Sequence, residues 1–212
     1  PWSFEGVCAL QKKLLHFKQG KVVMFLASLP ITCPPAPYEV MFLLDAFYRQ
    51  KRLRGKVDLT LITPEPTPEP LAGPKVGESV RKMMEQRGIE LITEAKVLRL
   101  DTFNKVLELD HGIEVPGDLF LGVPSHWGPS VLRDSGLSEE GGWITVDPNT
   151  LETNVEGVFA IGDGAALKLP VMQTLAPKAG IFAHYQAEVV ARNIAAMIKR
   201  GTPRFRYTAK GL

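Results

Sequence analysis

Three stretches carry residue types that could do chemistry. In Gly157-Val-Phe-Ala-Ile-Gly-Asp163 an apolar run, Val158 to Ile161, ends in Gly162-Asp163. That pattern predicts a strand delivering a carboxylate to the mouth of a sheet, where Asp163 can accept hydrogen bonds from the hydroxyls of a ligand. Further on, Ala176-Pro-Lys-Ala-Gly180 opens a long helical pattern. The free N–H groups and positive dipole end of such a helix suit an electron-rich ligand edge, and Lys178 adds a full charge there. The third stretch is Cys33-Pro-Pro-Ala-Pro-Tyr-Glu39. Cys33 lies just before a helical pattern, where a thiolate is stabilised and can act as a redox group or pair with a second cysteine. The alternative is an inert thiol in a proline-rich loop. Glu39 is a candidate proton carrier beside it, or simply a carboxylate that stabilises the helix N-terminus.

The elements around these residues follow from periodicity. Residues 3–18 read as an amphipathic helix capped by Ser3, with Cys8 as a small core residue. Val22–Ala27, Val57–Ile62 and Ile89–Ile92 are uninterrupted apolar runs of the buried parallel-strand kind. Helical patterns over 38–52 and 76–87 alternate with them. Arg49-Gln-Lys-Arg-Leu-Arg54 reads as a helix end favoured by its dipole. Thr63-Pro-Glu-Pro-Thr-Pro-Glu-Pro70 is too proline-rich for regular structure and reads as a stiff loop. Short segments at 96–100, 106–109 and 112–115 suggest an antiparallel meander, and 118–124 another buried strand. After a loop with His126 and Trp127, both read as structural, come a short helix near 130–135 and a strand over 143–146. The last helix, over 178–199, is apolar around most of its circumference and must be covered by something.

The expected fold is therefore α/β: a doubly wound, Rossmann-like dinucleotide-binding-type domain plus an incomplete second domain. In a nucleotide-binding domain, G-x-G-x-x-G separates the first strand from its helix. Here the segment 27–39 contains no glycine, and Pro30, Pro34, Pro35 and Pro37 lack the N–H groups that would cradle a pyrophosphate. After the second strand the nearest acid that could meet a ribose is Glu65. The domain is read as keeping the fold while losing nicotinamide-nucleotide binding.

Composition excludes several classes. A net charge of +2 over 212 residues is too weak to argue for nucleic acid. No run reaches the ~18 apolar residues of a membrane span, and the first residues do not read as a signal peptide. Two cysteines make no disulfide framework, and the four histidines lack metal-ligand spacing, so no metal is expected. The absent initiator Met and the coverage that the last helix demands point to a fragment.

The Gly-Asp stretch resembles the C-terminal flavin motif of the pyridine nucleotide–disulfide oxidoreductases. Cys33-Pro-Pro-Ala-Pro-Tyr-Glu39 and Ala176-Pro-Lys-Ala-Gly180 resemble most the sulfide:quinone oxidoreductases and flavocytochrome c sulfide dehydrogenases. The resemblance implies a helix at 1–20 connecting from the flavin domain, an NAD(P)-binding-like domain at 21–117, and the C-terminal part of an FAD-binding domain at 118–212. It implies that Asp163, with Gly162, binds a ribityl hydroxyl of FAD, and that Lys178, Ala179 and Gly180 lie beside the flavin pyrimidine ring. It implies a reactive Cys33 with Glu39 near it, sulfide or a similar small molecule as donor, and a quinone or cytochrome as acceptor. The family's second cysteine would lie beyond Leu212. A homodimer is possible within the resemblance. The parent protein would be cytoplasmic or peripheral to the membrane, through a C-terminal amphipathic segment, and this chain soluble. Two other readings stay open: an NAD(P)H-dependent reductase of the type II NADH dehydrogenase kind, and an isolated module without activity that cannot retain FAD.

Overall fold

The computed structural model describes residues 3–138, 141–169 and 174–208. The chain forms two units. One takes residues up to 29 together with 35–125; the other takes 30–34 and the residues from 126 on.

In the first unit, α1 (Phe4–His16) starts where the Ser3 hydroxyl accepts the N–H of Gly6 at 3.1 Å. The amphipathic pattern does form a helix, but the helix contains no buried residue. Phe4, Val7 and Leu15 are exposed, and Cys8 is half-buried rather than a core residue. Then follow β1 (Gly20–Leu26), α2 (Ala36–Gln50), β2 (Val57–Ile62), α3 (Pro74–Gln86), β3 (Ile89–Ile92), β4 (Val97–Asp101), β5 (Val106–Leu109), β6 (Glu114–Pro116) and β7 (Leu119–Val123). The parallel strands run in the order β3-β2-β1-β7, and β4-β5-β6 form an antiparallel meander. Val22 stands opposite Leu59 on one side and Leu119 on the other. Val22, Val23, Leu26, Leu61 and Ile62 are wholly buried, as strands covered on both faces require. This is the doubly wound arrangement expected. The first unit runs to Ser125. Strand β7 pairs along β1 and adds the fourth strand of the sheet.

Helix α2 begins at Ala36, earlier than the periodicity placed it. Pro35 at the N-cap and Pro37 in the first turn occupy positions whose N–H groups have no intrahelical partner, so the prolines start the helix instead of delaying it. The basic run at its far end does more than face a dipole. Asp45, 2% exposed, accepts from Arg49 Nε at 2.8 Å and Arg54 Nε at 2.7 Å. Arg54 also donates to the carbonyls of Val57, Arg87 and Gly88, tying α2, β2 and the end of α3 together. Burial alone would raise the Asp45 carboxyl, but the hydrogen bonds and charges of Arg49 and Arg54 outweigh it and hold the group below the usual carboxylate range.

In the second unit lie α4 (Ser130–Arg133), β8 (Ile144–Thr145), β9 (Ala165–Ala166) and α5 (Gly180–Ile198). Strands β8 and β9 pair in parallel. A core of Ile144, Val146, Leu151, Ala165, Leu167, Leu169, Ala176, Val190 and Tyr207 sits among them. Two expectations are corrected here. Val158 to Ile161 is not a parallel strand. The run folds back on 151–153, with Thr153 N–H bonded to Val158 O and Ala160 N–H to Leu151 O. Its backbone groups are satisfied by this local turn, with only a bridge at Glu152 and Phe159. The long helix starts at Gly180, not Lys178, because Ala179 is extended at φ −144° and ψ 148°. It is also less buried than its composition implies. Its inward stripe is Phe182, Gln186, Val190 and Asn193, while Ile181, Ile194, Met197 and Ile198 are exposed.

Candidate functional site

The second unit gathers Cys33, Gly162, Asp163, Lys178, Ala179 and Gly180; Glu39 falls in the first unit. Gly162 begins a single turn, Gly162–Gly164, at φ 62°. Only glycine enters that region at no cost, and a Cβ at 162 would lie 3.1 Å from the Ala183 Cβ. Its N–H is held by Gln186 Oε1 at 2.6 Å, from the buried face of α5. Gln186 also engages the Tyr207 hydroxyl. Two turns further along α5, Asn193 binds both the N–H and the carbonyl of Phe205 at 3.0 Å. Helix α5 thus pins the Gly-Asp turn and the 205–207 segment with two buried amides. Asp163, next in the turn, keeps its carboxylate exposed.

Lys178 is 5% exposed. Its ammonium donates to Ala165 O at 2.8 Å and stands 5.0 Å from the centre of the Trp143 ring, a cation–π contact. Burial pushes this amine below its ordinary range, and the Asp163 carboxylate pulls in the opposite direction. It is therefore neither a solvated helix end nor a charge in the first turn of α5. No side chain caps α5 at Ala179.

The backbone of Lys178 does a second job. Its segment bridges in parallel to Thr32, and its carbonyl accepts the N–H of Cys33 at 2.7 Å. Cys33 sits at φ 55°, the left-handed region, with its side chain exposed. A non-glycine residue there costs about 1–2 kcal/mol, so the surrounding hydrogen bonds must hold it. One comes from His126, whose Nδ1 accepts the Thr32 N–H at 2.7 Å and lies 3.1 Å from the Thr32 hydroxyl. Sequence reasoning missed His126, Trp143 and Gln186 as members of this cluster. No local motif marks them, and each acts across a long stretch of chain.

Within the first unit, Glu39 is exposed in the first turn of α2, its N–H bonded to Pro35 O at 3.0 Å. Glu65 is turned inward. It is 4% exposed and accepts the Tyr38 hydroxyl at 2.5 Å and the Thr63 hydroxyl at 3.2 Å. Burial raises its carboxyl despite those bonds. Glu69 is pushed up to about 7, by burial first and then by the charge of Glu65. The acid nearest a ribose position is thus consumed by Tyr38. Among the described residues no cluster of His, Cys, Asp or Glu could hold a metal, and no helix is long and apolar enough to cross a membrane.

Nearly the whole chain has recognisable relatives. Mouse mitochondrial sulfide:quinone oxidoreductase is 26% identical over 97% of this chain and 45% of its own length. Sulfide-quinone reductase of Aquifex aeolicus is 26% identical over 95% of this chain and 50% of its own length. The chain therefore spans about half the length of these relatives. The crystal structure of the sulfide:quinone oxidoreductase from Aquifex aeolicus superposes with a TM-score of 0.72 at 24% identity, over 92% of this chain and 48% of that one. A NAD-dependent persulfide reductase from A. fulgidus does so at 0.60 and 21%, over 91% and 34%. These likenesses support the Rossmann-like fold. Residues 47–188, more than half of the chain, match the profile of the pyridine nucleotide-disulphide oxidoreductases, and the chain belongs to that family.

Proposed function

We propose that this chain is part of an FAD-dependent oxidoreductase that oxidises sulfide through Cys33 and delivers the electrons to a quinone or cytochrome acceptor. The reading rests above all on one observation. Cys33 is exposed in a left-handed conformation, and its N–H is anchored to the segment that leads into α5, in the unit that also holds Gly162 and Asp163. The names of the curated relatives supply the substrate and acceptor classes.

The residues present fit the ring end of a flavin. Asp163 offers an outward carboxylate to a hydroxyl. The start of α5 offers N–H groups that no side chain caps, and Gly162 leaves room where a Cβ would meet Ala183. Gly162, Asp163, Ala179 and Gly180 would hold the group, which when bound supplies reversible two-electron acceptance. Lys178 would contribute a buried positive charge, partly neutralised by Asp163, that favours the anionic reduced state of a neighbouring group. Cys33 would be one sulfur of a disulfide that sulfide attacks, the S–S bond opening to a persulfide and a thiolate whose electron pair passes to the bound group. In the nucleotide-type unit, the inward Glu65 and the proline-rich segment argue against a nicotinamide donor.

The test is Cys33→Ser in the full-length protein. Loss of sulfide-dependent but not dithionite-dependent bleaching of the flavin band supports the reading. Unchanged sulfide-dependent bleaching, or bleaching by NADH in the wild type, sinks it.

A further inference from the structure

We propose that His126 is a positioning residue: its neutral, Nε2-protonated ring clamps the Thr32-Cys33 backbone in the conformation that presents the Cys33 thiol, and protonation of the ring releases it. The inference deepens the functional reading above and rests on it only for the importance of Cys33.

The argument starts from donor chemistry. A backbone N–H can only donate, so the 2.7 Å contact from Thr32 N requires a lone pair on His126 Nδ1. The proton of the neutral ring is then on Nε2. The Thr32 hydroxyl, at 3.1 Å, donates to the same nitrogen or turns elsewhere. The next residue, Cys33, has its own N–H fixed by Lys178 O at 2.7 Å. Two successive amides are thus pinned from opposite ends of the unit's sequence, one by a ring nitrogen and one by a carbonyl. Directly after the second pinned amide the chain turns into the left-handed region at Cys33, φ 55°, which a cysteine does not adopt unaided.

The clamp is conditional on protonation. An imidazolium carries N–H on both nitrogens, so charging His126 would set an Nδ1–H against the Thr32 N–H. Burial disfavours that charged form and pushes the ring below its ordinary value of 6.5, while the Asp163 carboxylate works against the shift. Lys178, the buried cation of the cluster, is coupled to the same carboxylate. Because the folded-state value is depressed, the clamp is present above about 6.5 and is lost as pH falls through the lower, folded value.

The experiment is amide hydrogen exchange of Thr32 and Cys33 by NMR, across mildly acidic to neutral pH and corrected for intrinsic exchange. It compares wild type, His126→Leu and His126→Asn. Asparagine places an acceptor oxygen near the position of Nδ1 but does not titrate. Wild type is expected to lose protection at these amides on acidification. His126→Leu should sit roughly three- to tenfold below the neutral wild type at every pH, the effect of one neutral hydrogen bond, so that the two converge in acid. His126→Asn should retain protection without the acid break. Unchanged protection in His126→Leu, or an acid break that persists in His126→Asn, overturns the proposal. Should His126→Leu not fold, the break in His126→Asn decides alone. Failure of the Cys33→Ser assay would remove the redox reading and leave these amides untouched, so the two failures are distinguishable.

Discussion

Gln186 Oε1 accepts the N–H of Gly162 at 2.6 Å, from a side chain only 2% exposed. This bond holds the start of the turn that carries Asp163. Replacing Gln186 by leucine leaves a buried N–H without a partner, at a cost of about 1–3 kcal/mol. The expected outcome is a lower melting temperature of the second unit and weaker flavin retention in the full-length protein. Gln186→Glu, which keeps an acceptor, should retain more of both.

Lys178 should make stability rise toward alkaline pH. Its folded-state value is lowered by burial, so between that value and 10.5 the unfolded chain binds more protons than the folded one. In a series of thermal melts from neutral to alkaline pH, the difference between wild type and Lys178→Met is expected to change in favour of wild type as pH increases. A difference that stays flat would mean the ammonium is not disfavoured by its surroundings.

Glu69 should do the reverse. Its folded-state value stands at about 7 against 4.5 when unfolded, so its contribution is full below 4.5 and is lost as pH rises through 7. Glu69→Gln should remove this loss and stabilise the first unit at mildly alkaline pH, read as a pH-insensitive melting temperature in that window.

Asp45 is the junction of α2, β2 and α3. Asp45→Ala strands Arg54, whose side chain is 15% exposed, and should cost on the order of 3 kcal/mol in chemical denaturation. Arg49→Ala, at a side chain 54% exposed, should be close to neutral.

The nucleotide-type half was legible in the sequence. Val22–Ala27, Val57–Ile62 and Ile89–Ile92 could only be buried strands, and the helical periods between them left one topology. Apolar runs and periodic stripes are local quantities, and parallel strands with crossover helices follow from them. The absence of glycine in 27–39 was equally plain, as were Cys33, Asp163 and the start of a helix near residue 180. What the tertiary structure alone decided was how these groups are held. Val158–Ile161 had the composition of a strand but closed a local turn, because strand formation needs a partner and its partner was the segment just before it. Lys178 read as a charge at the start of the last helix, facing a ligand edge, and became a buried cation over Trp143. Glu65, the nearest acid that could have met a ribose, was taken by Tyr38. His126 read as structural, and only the fold showed what it holds, the Thr32 amide 94 residues away. A hydrogen bond to a distant backbone amide leaves no periodic trace in the sequence, so its partners emerge only when the chain is folded.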